Sequence, residues 1–286
     1  MDNILEIRNL RKEYDNFTLK DINFTLPKGY IMGFIGPNGA GKSTTIKLIM
    51  NLVKKTSGEI KLFGMDNEKY EREVKNRIGF VYDENYYYDE LTIYEMRKII
   101  RPFYSKWDDS VFNNYINQFG LNLKDKIKKL SKGMKTKFAL AMALSHNAEL
   151  IIMDEPTAGL DPIFRREILD ILYELIQDEK KSIFFSTHIT TDLEKIADYI
   201  TFINNGKIVF SKEKDVVMDE YAIVKGSLDM LNEDSKRQFI GIRKNKFGFE
   251  ALTSNKDDIR RTYKDKVLVE KASLEDIMFF TTLKGE

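Results

Sequence analysis

The sequence predicts an α/β protein: a core built on a mixed sheet, an antiparallel β portion, an inserted helical stretch and a small C-terminal α+β appendage. Three observations lead there. Apolar runs at Tyr30–Ile35, Leu150–Met153 and Ser182–Ser186 are short and uninterrupted, as strands buried on both faces are. The first of them runs straight into a glycine-rich loop and then a helical pattern. The earliest segments instead alternate apolar with polar residues, as half-exposed antiparallel strands do.

In chain order, Ile4–Ile7, Phe17–Leu19 and Phe24–Leu26 are the alternating segments, and Pro27-Lys28-Gly29 is a turn leading into the Tyr30–Ile35 strand. Residues 36–44 read Gly36-Pro37-Asn38-Gly39-Ala40-Gly41-Lys42-Ser43-Thr44, matching G-x-x-x-x-G-K-S/T. Ile46, Ile49 and Val53 then recur at helical spacing, so a helix opens near Lys42. Strand, loop and helix together give the motif its meaning. The glycines let successive N–H groups turn inward on a polyphosphate, and the helix N-terminus adds partial positive charge. Lys42 would reach the β- and γ-phosphates and the Ser43 hydroxyl would ligate Mg²⁺. This is a nucleoside triphosphate site.

Ser57–Gly64 reads as a further short strand. From about residue 84 to 145 strand signals are few. Asp89-Glu90-Leu91-Thr92 introduces one helical pattern, and Val111, Tyr115, Ile116 and Phe119 supply another, so a helical subdomain is expected there. Leu150–Met153 ends in Asp154-Glu155, which puts two carboxylates at the ligand edge of a parallel sheet. Ile163–Ile176 is an amphipathic helix. Ser182–Ser186 ends at Thr187-His188, and Thr191 with Glu194 has capping-box spacing for the next helix. Tyr199–Phe210, broken by Asn204-Asn205-Gly206, is a tight hairpin. Beyond about residue 212 the chain is more polar, with short strands within Phe239–Phe249 and at Val267–Val269 and a helix from Ser273 to Thr282. The expected division is a nucleotide domain at 1–212 and an accessory domain at 213–286.

Lys+Arg (46) and Asp+Glu (45) nearly cancel, so no broad nucleic-acid footprint is expected. There is no cysteine, which removes disulfides, thiolate metal sites and a cysteine nucleophile. Two histidines are too few for a His-rich metal site, and His146 reads as a surface or packing residue. Met1–Glu6 lacks the basic and apolar regions of a signal peptide. Apolar runs stay far below the roughly 20 residues that span a bilayer. The expectation is a cytoplasmic protein whose membrane role runs through a partner.

At Leu130-Ser131-Lys132-Gly133-Met134 a second diagnostic stretch appears. With the phosphate loop upstream, and with Asp154-Glu155, Ala158-Gly159-Leu160-Asp161 and His188 downstream, the chain resembles the nucleotide-binding subunits of ATP-binding cassette transporters over residues 1 to about 210. The resemblance implies that Tyr14 stacks on adenine, Asp154 holds Mg²⁺ through water, and Glu155 is the general base. It implies that His188 hydrogen-bonds the γ-phosphate and the attacking water. Ser131 and Gly133 would complete the site of a second subunit, so that two chains pack head to tail around two ATP molecules, as a homodimer or a heterodimer with a related chain, and Asp161 is a further nucleotide-binding candidate. Three positions depart from the family pattern. L-S-G-G-Q carries Lys132 for the first glycine and Met134 for the glutamine, and Asp83 stands where a glutamine is usual, as a carboxylate able to bind Mg²⁺. Tyr86-Tyr87-Tyr88 lies where the family receives its transmembrane permease subunit, with local packing against the helical subdomain as the alternative.

The implied function is ATP hydrolysis powering export through a separate permease, with the protein peripheral on the inner face of the membrane. The accessory tail and the Ser273–Ile277 helix start resemble bacterial exporters of drugs, antimicrobial peptides or lipids. A soluble cassette acting on ribosomes or DNA is the alternative, but such proteins carry two cassettes or a long coiled coil. Asn255-Lys256-Asp257-Asp258 fits the guanine-reading pattern N-K-x-D, yet it follows no apolar strand and lies outside the nucleotide domain.

Overall fold

A computed structural model describes residues 2–82 and 87–283. Asp83 and Tyr86 therefore lie outside the described residues. The chain begins with strands β1 (Asn3–Tyr14), β2 (Phe17–Pro27) and β3 (Ile31–Ile35), helix α1 (Lys42–Ile49), strands β4 (Ser57–Leu62) and β5 (Met65–Asp66), α2 (Glu71–Asn76) and β6 (Ile78–Val81). Helices α3 (Ile93–Ile100), α4 (Asp109–Gln118) and α5 (Lys132–Leu144) follow, with no strand among the described residues from 87 to 144. Then come β7 (Leu150–Asp154), α6 (Pro162–Leu175), β8 (Ser182–Thr187), α7 (Thr190–Ile196), β9 (Tyr199–Asn204) and β10 (Lys207–Glu213). The C-terminal part holds α8 (Lys214–Glu220), β11 (Ala222–Gly226), α9 (Glu233–Lys236), β12 (Gly241–Asn245), β13 (Gly248–Thr253), α10 (Lys256–Tyr263), β14 (Leu268–Lys271) and α11 (Leu274–Leu283).

The central sheet has the order β10-β9-β3-β8-β7-β6. Its β9-β3-β8-β7-β6 pairs are parallel and only β10 runs antiparallel. Alternation along its strands sorts the core into two sides. Met32, Phe34, Ile152 and Phe184 face the antiparallel sheet β2-β1-β4-β5, where Leu5, Leu10, Ile22 and Phe24 await them, together with Ile46 and Ile49 of α1. Ile31, Ile35, Ile151, Met153, Ile183 and Phe185 face the helices: Phe138 and Leu140 of α5, Ile168 and Leu172 of α6, Leu193 of α7. Leu274, Ile277 and Phe280 of α11 join that same cluster. A third sheet, β12-β13-β11-β14, starts at Ala222 and has its own small core of Val224, Phe239, Phe249, Ala251 and Ile259.

Helix starts follow local chemistry. Thr92 and Glu95 form a reciprocal capping box on α3, and Asp108 caps α4 through the N–H groups of Ser110 and Val111. The capping box expected at Thr191 and Glu194 does not form. α7 begins at Thr190 without a side-chain cap. The Thr191 hydroxyl instead accepts a hydrogen bond from Arg165 (2.7 Å), and Glu194 Oε1 accepts the backbone N–H of Leu274 (2.8 Å). Partners distant in sequence took both groups.

His146 is fully buried, not on the surface, and its ring stacks on Tyr104 at 3.8 Å between centroids. Asn255-Lys256-Asp257-Asp258 serves as the start of α10. Asn255 caps Asp258 N–H, and Lys256 Nζ binds Asp219. Among the described residues no helix is long and apolar enough to cross a membrane.

Candidate active site

Strands β3, β7 and β8 lie side by side and run parallel, so the loops leaving their C-terminal ends share one edge of the sheet. From β3 comes the phosphate loop. Gly41 closes it as the residue before α1 with φ 112°, a conformation that a side chain would strain. A Cβ on Gly36 would sit 2.2 Å from the Ile203 carbonyl oxygen, so only glycine lets the loop leave the strand here. Asn38 and Gly39 are exposed on the crest, Pro37 and Thr44 are half-buried, and Ala40 packs inward beside them. No acidic residue occupies the first turn of α1, so its exposed N–H groups keep their positive end.

The Lys42 ammonium is buried to 6 % exposure and folded back on the loop, donating to the Gly36 carbonyl at 2.9 Å. It also lies 3.4 Å from Glu155 Oε1. Ser43 is exposed next to it. The last residue of β7, Asp154, is buried, and burial pushes its carboxyl above the ordinary value, opposed by the nearby Ser43 and Ser186 hydroxyls. Its Oδ1 has no hydrogen-bond partner.

Glu155 follows with φ 48°, left-handed backbone for a non-glycine residue, held by its N–H bond to the Ser186 carbonyl of β8 at 2.9 Å. That bend turns the side chain across the sheet edge. Its Oε2 lies 2.8 Å from His188 Nδ1 and accepts the His188 backbone N–H at 3.3 Å. The carboxylate thus stands between a lysine and a histidine, and the histidine ring is 45 % exposed toward the open side. A basic anchor, a buried acid and an acid–imidazole pair at the mouth of an anion-binding loop are equipment for hydrolysing a phosphoanhydride.

Lys42, Ser43, Asp154, Glu155 and His188 converge here. Four other candidates sit elsewhere, three of them exposed. Tyr14 ends β1 with its ring 45 % exposed and Lys12 Nζ 5.0 Å from the ring centre. Ser131 caps α5 by accepting the Met134 N–H at 3.2 Å. Gly133 is packed under α6, where a Cβ would come to 3.0 Å from Phe164. This packing reason for the glycine is invisible in the motif. Asp161 caps α6 through the N–H groups of Ile163 and Phe164. Among the described residues no hydrogen bond or ion pair links Ser131, Gly133 or Asp161 to the phosphate loop. The sequence reading missed the buried Thr157 and Asp192 and the partly exposed Arg165, a polar cluster beside the Glu155–His188 loops. A charged residue on the buried face of α7, between Thr190 and Leu193, is the signal that points to it.

Comparison with known proteins identifies the family. Residues 19–158 match the family model of ABC transporters. The lantibiotic transport ATP-binding protein SrtF of Streptococcus pyogenes is 38% identical over 215 residues, covering 74% of this chain and 92% of that protein. The bacitracin transport ATP-binding protein BcrA of Bacillus licheniformis is 35% identical over 212 residues, covering 73% and 69%. A solved ATP-binding subunit of an ABC transporter superposes with a TM-score of 0.68 at 27% identity, over 76% of this chain and 92% of that one. The chain belongs to the ABC transporter ATP-binding subunits of the bacterial export type and is an ATP-binding, ATP-hydrolysing enzyme.

Proposed function

We propose that the chain drives export of a peptide antibiotic through a separate transmembrane permease, with hydrolysis at the Lys42–Asp154–Glu155–His188 site and two chains closing head to tail on ATP. The observation that carries this is the Glu155 carboxylate, strained in its backbone and held between Lys42 and His188 at the end of β7. Lys42 turns from the Gly36 carbonyl to the β- and γ-phosphates. Water attacks the γ-phosphorus as Glu155 takes its proton, and the bond to the bridging oxygen breaks to release ADP and phosphate. His188 holds the γ-phosphate and the attacking water in line.

The residues also fit a magnesium ion, because Asp154 offers a buried oxygen without a partner beside the Ser43 hydroxyl. When bound, Mg²⁺ neutralises charge on the β- and γ-phosphates. Asp83 is the further carboxylate assigned to it from the sequence.

Ser131, Gly133 and Asp161 would face the γ-phosphate held by the other subunit, whether an identical chain or a related one. The placement of Ser131 and Asp161 on exposed helix starts, with no bond to this chain's own loop, supports that division. In the same scheme residues 1–212 form the nucleotide domain, 84–145 its helical subdomain and 213–286 an accessory domain. A cleft of about 730 Å³ between β6 and α5, lined by Phe80, Tyr82, Tyr87, Ile100, Tyr104 and Lys135, would receive the permease. None of the phosphate-loop residues lines it, and aromatic residues are enriched at interface cores. Through that contact the protein would sit on the inner face of the membrane. The cargo class comes from the lantibiotic and bacitracin relatives. No observation favours the ribosome- or DNA-bound alternative.

Glu155→Gln tests the mechanism. Phosphate release should fall by roughly a hundredfold or more, and with Mg-ATP the variant should elute as a dimer that captures a polytopic membrane protein from detergent-solubilised membranes. A variant that stays monomeric at saturating Mg-ATP sinks the head-to-tail scheme.

A further inference from the structure

We propose that Asp192 is a positioning residue for hydrolysis, clamping the turn that follows Glu155 to the helix that follows His188. Glu155 and His188 reach each other from separate loops, β7–α6 and β8–α7, and nothing in either loop alone fixes their 2.8 Å contact. The link lies directly behind them. Asp192, on α7, has no exposed surface, and both of its oxygens are used. Oδ2 accepts the Thr157 hydroxyl at 2.7 Å, and Oδ1 accepts Arg165 Nε at 2.7 Å. The same guanidinium donates to the Thr191 hydroxyl at 2.7 Å.

Each partner belongs to a part that has to be in register. Thr157 lies within the turn closed by the Ala158 N–H to Glu155 carbonyl bond, 3.1 Å, and its own carbonyl accepts the Leu160 N–H at 3.3 Å. Arg165 sits one turn into α6, whose cap is Asp161. Asp192 N–H in turn donates to the Ile189 carbonyl, next to His188. The adjoining Leu193 presses on β3, where a Cβ on Gly33 would lie 2.6 Å from Leu193 Cδ1. One buried carboxylate therefore ties together the Glu155 turn, the Ala158–Asp161 segment and the His188 helix, on a base set against the phosphate-loop strand. A charge without solvent is held by its hydrogen bonds, and charge-assisted ones fix geometry tightly. Displacing a reacting group by about 1 Å can cost roughly a hundredfold in rate, so the clamp acts on the rate and not on nucleotide affinity.

This inference rests on the assignment of Glu155 and His188 to hydrolysis. Thr157→Val keeps the side-chain shape and removes one hydrogen bond; Thr157→Ser restores the hydroxyl; Asp192→Asn removes the charge. For each, kcat and KM for ATP, the Kd of a fluorescent ATP analogue and Tm are measured on the full chain, alongside wild type and Glu155→Gln. Thr157→Val should lose roughly tenfold in kcat with KM and Kd within twofold, Thr157→Ser should recover it, and Asp192→Asn should lose more. If Thr157→Val keeps wild-type kcat below its Tm, or if kcat is lost only in proportion to unfolded protein, the clamp is structural and the proposal is overturned. If Glu155→Gln itself hydrolyses ATP at the wild-type rate, the underlying assignment fails instead, and the proposal falls with it.

Discussion

The C-terminal ends of β3, β7 and β8 and the N-terminal starts of α5 and α6 treat their polar groups in opposite ways. At the strand ends Asp154 Oδ1 and Ser186 Oγ are buried with no hydrogen bond of good geometry among the described residues, and Glu155 is bent into left-handed backbone. At the helix starts Ser131 and Asp161 are exposed, with their oxygens already bonded to their own backbone N–H groups. An unmet buried polar group costs about 1–3 kcal/mol, whereas a cap contributes about 1 kcal/mol. The first surface is thus unfinished in the chain alone and is relieved by what binds there. The second is finished and presented outward, which fits the proposed role of completing another subunit's site.

Asp154→Asn tests the unfinished side with the largest effect. Burial holds the Asp154 carboxyl above its ordinary pKa, so its ionised form destabilises the nucleotide-free fold, and that loss grows as pH rises through the raised value. Asparagine is never charged. The variant should melt higher than wild type without nucleotide at pH 8, and lose ATPase by on the order of a thousandfold. A lower Tm together with intact activity would show that the carboxylate is an ordinary structural group.

His146 sharpens the contrast because it is buried and unpaired without being at the sheet edge. Neither ring nitrogen makes a hydrogen bond of good geometry among the described residues, and burial, outweighing the nearby Asn76 backbone, pushes its pKa down to about 4. The unfolded chain protonates near the ordinary value of 6.5. Stability is therefore fully present above that value and falls as pH drops toward 4, by about 3 kcal/mol. His146→Phe, which keeps the stack on Tyr104, should flatten this acid limb in urea titrations. Mg-ATP should stabilise wild type and His146→Phe alike, since no ligand meets this orphan. An acid limb unchanged in His146→Phe would reassign it to the carboxylates.

The strand–loop–helix around Lys42, the acidic end of β7 and the helical pattern opened by Asp89–Thr92 were legible because each is written in contiguous residues. The Asp192 clamp was not, because Thr157, Arg165 and Asp192 meet only after the chain has passed through α6 and β8. Thr191 and Glu194 show the reverse failure. Their spacing is right for a capping box, but Arg165 and Leu274 N–H, brought in by tertiary packing, bind them instead. Glu194 also shows why composition placed the tail outside the nucleotide core. Polarity rises after residue 212, yet Leu274, Ile277 and Phe280 still close the helical side of the central sheet.

On the finished side, Ser131→Ala should remove the α5 cap and lower stability by about 1 kcal/mol, read as a Tm shift without nucleotide. ATP binding to the isolated chain should not change, because no bond joins Ser131 to residues 36–44. The deficit should appear only in ATP-driven dimerisation of the Glu155→Gln background. A tenfold loss of ATP affinity in the monomer would place Ser131 in its own chain's site and dissolve the comparison.

Tyr14 belongs to neither surface and gives the smallest effect. Tyr14 ends β1, 45 % exposed, with no ring pair among the described residues and the Lys12 ammonium 5.0 Å from its ring centre. A stacked base would gain about 0.5–1.5 kcal/mol, so Tyr14→Ala should weaken ATP by roughly threefold to tenfold while Tyr14→Trp holds or tightens it. Tripolyphosphate separates stacking from charge. It presents the same anion to the phosphate loop and carries no base, so its affinity should be equal in wild type and Tyr14→Ala. Equal losses for ATP and tripolyphosphate would mean that Tyr14 acts by holding Lys12 over the anion, and the base would then have to be sought on another surface.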